Sequence, residues 1–492
     1  MLYALPLTSV LLSLALSASA GIIRQSTSPV TLALTKHFNL TGASKILEID
    51  QARARWLKGR TKASESRSQG PYSLSVTNQA GYYSTIVGIG TPPKDFTLLV
   101  DTGSSNTWVG AQPTEFFLPS SSEPTGEIVD VMYGSGQLAG TEYTDTIHLG
   151  DIAIANQSFG GAILDNGFGV DIDGILGIGP VDLTQGTLFP NRSKAVPTVT
   201  DNAFAQGLIG AHEIGISFAP TTAVGVTDGV LTFGGIDFSR INGQLTYVPI
   251  TATRPAGYYV GIDQKISYGD ADNVILASTA GITDTGTTLL LIATDAFNKY
   301  RNLTGAVKDD NTGLLRLTPA QFGNLRSLLF TIGGTPFEFV PNAQAWPRAL
   351  NSAIGGSDEF VYLIVGDLGS HSGEGLDFIN GMSFLERFYQ VYDVGNNRVG
   401  FATTYNTLLF TIGGTPFEFV PNAQAWPRAL NSAIGGSDEF VYLIVGDLGS
   451  HSGEGLDFIN GMSFLERFYQ VYDVGNNRVG FATTYNTYAM TN

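Results

Sequence analysis

The sequence holds no cysteine among its 492 residues. Disulfides, thiolate catalysis and cysteine-ligated metal are therefore excluded, and packing alone must hold the fold. Histidine is scarce, at 5 residues. None of these stands in a metal-ligand spacing or as a pair on one helix face, so neither a metal site nor a cofactor is expected. Base is also in short supply: 26 Lys and Arg face 43 Asp and Glu, a net charge of −17. That balance argues against a nucleic-acid partner and suits work in acid. After the first twenty residues no apolar run is long enough to cross a bilayer, and no Gly-x-Ser-x-Gly nucleophile elbow occurs.

Residues 1–20 are the exception to the lack of apolar runs. MLYALPLTSVLLSLALSASA is apolar, uncharged and ends in small residues, which predicts a secretory signal cut after Ala20. A membrane anchor would need a longer span. Sequons at Asn156, Asn191 and Asn302 fit a secreted, extracellular chain.

Residues 21–70 carry nine Lys or Arg against three Asp or Glu, ahead of a strongly acidic remainder. A basic leader before an acidic body predicts a removable pro-segment held by electrostatic attraction and released when acid protonates the carboxylates. A solvated basic tail is the plainer alternative. Which basic residue, if any, blocks a site is left open by the sequence.

From residue 71 the pattern is β-rich. With 60 glycines in the chain, it favours short strands and tight turns. YYSTIVGIG reads as an alternating strand, TPPKDFTLLVD as its return, and GVLTFGGID and YYVGIDQKISYG as further strands. Helices are few; one is signalled by Thr318, Pro319 and Gln321 as a capping box with proline at the first helical position. Residues 328–407 recur unchanged at 408–487, followed by a short tail, 488–492. A single perfect copy of this length is unlike a solenoid repeat and points to a recent duplication or an assembly artefact. The first copy is expected to complete the fold, because it closes the shorter loop.

Two short stretches carry the chemistry. LLVDTGSSNTWVG puts Asp101 at the end of an apolar strand, before Thr102, Gly103 and Ser104. GITDTGTTLLLI does the same with Asp284, Thr285, Gly286, Thr287 and Thr288. Burying a carboxylate against apolar neighbours is costly. Two carboxylates brought together can share a proton, the charged one acting as base on water and the protonated one as acid. Glycine after each aspartate lets backbone amides approach the carboxylates, and Thr102, Ser104, Thr285 and Thr287 can hold them rigid. A glycosidase pair would not need such matched turns. Asp173 and Asp393 lie in matching glycine-rich stretches and read as solvated turn residues.

With these motifs the chain resembles the pepsin-like aspartic proteases over about residues 71–407. VMYGSGQLAGTEYTDTIHLG, residues 131–150, resembles their flap hairpin. DGILGIG, 173–179, and LDFINGMSFLERFYQVYDVGNNRVGFA, 376–402, resemble the segments behind the two aspartates. The resemblance implies an all-β, bilobal fold with a few short helices and a cleft between an N-terminal lobe, 71–246, and a C-terminal lobe, 247–407. It implies Asp101 and Asp284 as the catalytic pair and Tyr133 as the flap tyrosine, its hydroxyl near the indole of Trp108. Gly134 and Ser135 would bind the peptide, Gly103, Gly286, Thr287 and Thr288 would line the cleft floor, and Leu99 and Ile175 would form an apolar pocket. It implies polypeptide substrates bound as an added strand, the pro-segment as intramolecular inhibitor, no membrane partner and a monomer. A catalytically impaired peptide-binding protein on the same fold is the alternative.

Overall fold

A computed structural model describes residues 29–37, 46–59, 81–111, 118–133, 136–166, 172–220 and 227–404. Within the second copy it describes 408–412, 415–419, 421–424, 426–435, 443–445, 458–484 and 486–487. The expected signal segment, 1–20, and Gly134 and Ser135, expected to bind the peptide, lie outside the described residues.

The fold is bilobal and mostly β. In the first lobe Tyr82–Ile89 pairs with Lys94–Asp101 and, at its far end, with Gln137–Leu149, closing a barrel. Lys94–Asp101 also lies parallel to Gly174–Gly177, with Asp101 opposite Gly177. The second lobe repeats this device in a seven-stranded sheet: Val274–Thr283 runs parallel to Phe378–Asn380, with Thr283 opposite Asn380. Each aspartate thus leaves the end of a buried strand that is clamped by a parallel neighbour. The amide of Asp284 donates to the Asn380 carbonyl at 3.1 Å, and the amide of Ile178 to the Asp101 carbonyl at 2.9 Å.

The alternation read into Tyr82–Ile89 is not realised as burial, since only Ile86 is exposed. Tyr82 faces the apolar cluster of Leu99 and Trp108, whereas Tyr83 faces the main core and stacks on Phe218, so both faces of the strand are covered. The capping box before Pro319–Phe322 is formed in full.

The leader is built into the body. Its strand Val30–His37 lies between Thr227–Phe233 and Tyr82–Ile89 in one long sheet. Its helix Ile46–Gly59 buries Ile46, Leu47, Ala54 and Leu57 in the main core. On the same face it buries two charged residues, Asp50 and Arg53.

The first copy of the repeat completes the fold, adding strands to the sheets of both lobes. Leu328–Ile332 pairs with Gly261–Tyr268, Phe388–Asp393 with Glu213–Ser217, and Arg398–Thr404 with Ile241–Pro249. In the second copy Phe468–Asp473 and Arg478–Thr483 pair with each other, in the register of their counterparts. Asp393, read as solvated, is buried and accepts hydrogen bonds from Arg398 at 2.6 Å and from Asn396. Asp173 accepts the amide of Thr97 at 2.7 Å. Asp393 staples its own turn and Asp173 ties its segment to the strand Lys94–Asp101, and turn-forming residues alone do not reveal whether a carboxylate has such a partner.

Candidate active site

Asp101 and Asp284 are both fully buried and face each other across the junction of the lobes. Their turns interlock. The amide of Thr102 donates to the Thr285 hydroxyl oxygen at 2.9 Å, and the amide of Thr285 to that of Thr102 at 3.0 Å. The Thr285 hydroxyl then donates to the Val100 carbonyl at 2.9 Å. A reciprocal pair of this kind fixes one turn against the other without any covalent link. Outside it, the Ser104 hydroxyl donates to Asp101 and the Thr287 hydroxyl to Asp284, each at 2.6 Å. The amides of Gly103 and Gly286 supply the inner bonds, at 2.9 and 3.1 Å.

The glycines are required by the opposite turn. A Cβ on Gly103 would lie 2.7 Å from an oxygen of Asp284, and one on Gly286 2.7 Å from an oxygen of Asp101. Any side chain at either position would push the carboxylates apart.

Trp108 donates its indole N–H to the Tyr133 hydroxyl at 2.9 Å. These two residues join Leu99 and Ile175 in one buried apolar cluster beside the dyad turn. Thr288 sits on the other side, its hydroxyl donating to the Gly81 carbonyl at 3.1 Å. Of the candidate site residues named from the sequence, those described lie on the two interlocked turns or in the adjoining apolar cluster.

Three residues of the leader helix occupy this site, and the sequence did not single them out. Arg53 lies between the aspartates: its Nη2 is 2.6 Å from Asp101 and 2.8 Å from Asp284, and its Nε is 2.5 Å from the second oxygen of Asp284. Trp56, one turn on, stacks on Tyr133 with ring centroids 6.0 Å apart. Asp50 accepts the amides of Leu289 at 2.7 Å and Thr288 at 3.2 Å. The signal was present as helical spacing, since Asp50, Arg53 and Leu57 fall on one face with Ile46 and Ala54. Charges on an otherwise apolar face must find partners elsewhere. Further along, the Leu57 carbonyl accepts from Tyr259, Gln51 donates to the Asp367 carbonyl, and Lys58 meets Ser370 and Glu374.

The electrostatics of the filled site are asymmetric. Burial raises Asp101, and the nearby charge of Asp284 adds to this, so the Arg53 charge does not bring it back to its ordinary value. At Asp284 burial acts in the same sense, but the charge and hydrogen bond of Arg53, with the bonds from Thr287 and Gly286, outweigh it and hold the carboxyl below its usual value. Arg53 itself is pushed further up by the two carboxylates against the effect of burial. Burial pushes Asp50 up to about 7, against the pull of the two amides and of Arg53.

Fold and site together define the class: the chain belongs to the eukaryotic aspartyl proteases, whose family model matches residues 82–404, and is an aspartic-type endopeptidase. Among individual proteins it is similar to polyporopepsin of Irpex lacteus, with 60% identity over 332 residues, covering 68% of this chain and 97% of the relative. It is also similar to human gastricsin, at 31% identity over 358 residues, 67% of this chain and 84% of the relative. A crystal structure of an aspartic proteinase from Irpex lacteus superposes with a TM-score of 0.64 at 59% identity, covering 68% of this chain and 96% of that one.

Proposed function

We propose that the chain is made as a secreted zymogen that, once its leader departs in acid, cuts polypeptides between large apolar residues. The observation that carries this reading is the guanidinium of Arg53 lodged between Asp101 and Asp284. A cation there neutralises the dyad and fills the place between the carboxylates, so the described state is latent. When the leader leaves, water takes that place. The ionised carboxylate draws a proton from water as its oxygen attacks the scissile carbonyl, and the protonated partner donates to the carbonyl oxygen. Roles return as the C–N bond breaks and the nitrogen takes a proton. Ser104 and Thr287 hold the outer oxygens so that the pair does not rotate during the exchange.

The preference for large apolar residues rests on the cluster of Leu99, Trp108, Tyr133 and Ile175, against which the leader packs its own large side chain, Trp56. Secretion rests on the pattern of residues 1–20. The test is cleavage of casein in mildly acidic buffer with and without pepstatin, an inhibitor general to this family. We expect cleavage that pepstatin abolishes, with cuts next to Phe, Leu and Tyr. Binding of pepstatin without turnover would instead identify a peptide-binding protein.

The stability of the unprocessed chain has a pH profile whose two limbs have different owners. Measured against the unfolded chain, Asp284 is held below its ordinary value of 3.8, so its contribution is complete above that value and is lost as pH falls through the folded one. Asp50 is raised from 3.8 to about 7, so the docked leader holds a proton that the released leader gives up. Its contribution is complete below 3.8 and is lost as pH rises through about 7. Together the two groups stabilise the docked chain most near pH 3.8, and the acid release of the leader comes from losing the Asp284 contribution below that value. We expect Asp50→Asn to flatten the upper limb and leave the acid limb in place, read as the thermal midpoint of the unprocessed chain against pH. An unchanged upper limb would remove Asp50 from this role.

A further inference from the structure

The repeat places one sequence in two environments. In the first copy Phe378 and Ile379 lie in the strand Phe378–Asn380, between Val274–Thr283 and Leu290–Ile292 and inaccessible to solvent. This strand also supports the site, through the Asn380 carbonyl that receives the amide of Asp284. In the second copy the strands equivalent to these neighbours are missing, because the chain has one set of them and the first copy occupies it. The same dipeptide, Phe458 and Ile459, is 70% and 68% exposed and lies outside any strand. Other apolar side chains fare alike: Met462, Tyr469 and Tyr472 are exposed, while Met382, Tyr389 and Tyr392 are buried.

A cleft that binds its substrate as an added strand needs a segment whose backbone is not already paired. Proteolysis of a folded domain must otherwise wait for it to open. Phe458–Ile459 meets this need and sets a large apolar residue on each side of one peptide bond. We infer that the enzyme is its own trimming protease, and that the second copy is a substrate cut at the Phe458–Ile459 bond. This inference rests on the endopeptidase reading above. Water adds across the bond: its oxygen joins the carbonyl carbon of Phe458, the C–N bond breaks, and the amine of Ile459 leaves with a proton supplied by the dyad. No other reactant is needed. The identical bond Phe378–Ile379 is protected by its sheet, and its cleavage is slower by at least ~10³-fold, the order of the opening equilibrium of a stable domain.

The experiment follows the purified full chain after transfer to acid, by intact mass and by N-terminal sequencing of the fragments, with casein digestion measured in parallel. The expected result is a pepstatin-sensitive fragment beginning at Ile459 and none beginning at Ile379 on the same timescale. In Phe458→Asp, and separately in Ile459→Asp, no fragment beginning at position 459 forms while casein digestion is unchanged. Casein digestion without a fragment beginning at Ile459 overturns the inference and leaves the endopeptidase reading standing. So does a fragment that persists in both variants, or equal cutting at Phe378–Ile379. Absence of casein digestion overturns the endopeptidase reading itself, and this inference with it.

Discussion

Asp284→Asn lowers kcat for casein on the order of 10⁴-fold and leaves KM within a few-fold of the parent, the largest effect expected of any single change in this chain. The amide is nearly the same size as the carboxylate, and its oxygen can still accept from the Thr287 hydroxyl or the Gly286 amide, which now serve Asp284 at 2.6 and 3.1 Å. The reciprocal bonds of Thr102 and Thr285 do not involve the substituted side chain, so the floor of the cleft stays in place. What is lost is titration. An amide cannot take a proton from water or exist as the charged half of a shared pair, so both the acid and the base step lose their partner. Positioned general acid–base groups contribute ~10²–10⁴-fold each, and without a shared proton neither member of the pair keeps its role. The apolar cluster of Leu99, Trp108, Tyr133 and Ile175, proposed above to receive the substrate's large side chains, is not touched by the change. The measurement is steady-state kinetics on the leader-free enzyme. Residual kcat within tenfold of the parent would end the claim that these two carboxylates do the chemistry.

Arg53→Ala is the second large effect, and it falls on latency. Removing one partner of a buried, hydrogen-bonded ion pair costs about 3–5 kcal/mol, because the remaining charge stays buried without compensation. Here two carboxylates are abandoned at once. Leader docking should weaken by about 10²–10³-fold at neutral pH, since 1.4 kcal/mol is tenfold. The acid limb of docking should also vanish. Asp284 is held low by the charge and hydrogen bond of Arg53; without them burial and the like charge of Asp101 push both groups up, and docking no longer depends on keeping Asp284 ionised. Release of the leader then occurs without an acid step. Arg53→Lys should fall between the two, because an ammonium is a point charge and cannot reproduce the fork of Nε and Nη2 on Asp284 together with Nη2 on Asp101. The check is binding of labelled pepstatin to the unprocessed chain across pH. The parent chain should exclude it until acid is added, and Arg53→Ala should admit it near neutrality. Equal exclusion by both chains would mean that the rest of the helix, through Trp56, Leu57 and Lys58, is enough to close the cleft.

The sequence alone determined the two reactive turns. An apolar strand ending in Asp-Thr-Gly, with hydroxyl residues following, is a local device: the strand direction, the turn and the hydroxyl at the third position after each aspartate all lie within a few residues. Placing Trp108 near Tyr133 needed a family resemblance, since nothing local joins residues in different strands. The tertiary structure alone decided which of the nine basic residues of the leader meets the dyad. Arg53 and Arg55 stand two residues apart on one helix, and only docking turns Arg53 toward Asp101 and Asp284. It likewise decided that Asp393 is buried and paired with Arg398. The repeat makes the division plain, because Phe378–Ile379 and Phe458–Ile459 have identical local sequence on both sides. One is buried in a sheet and the other lies in solvent, because burial is a property of the partners available and the fold has partners for one copy only.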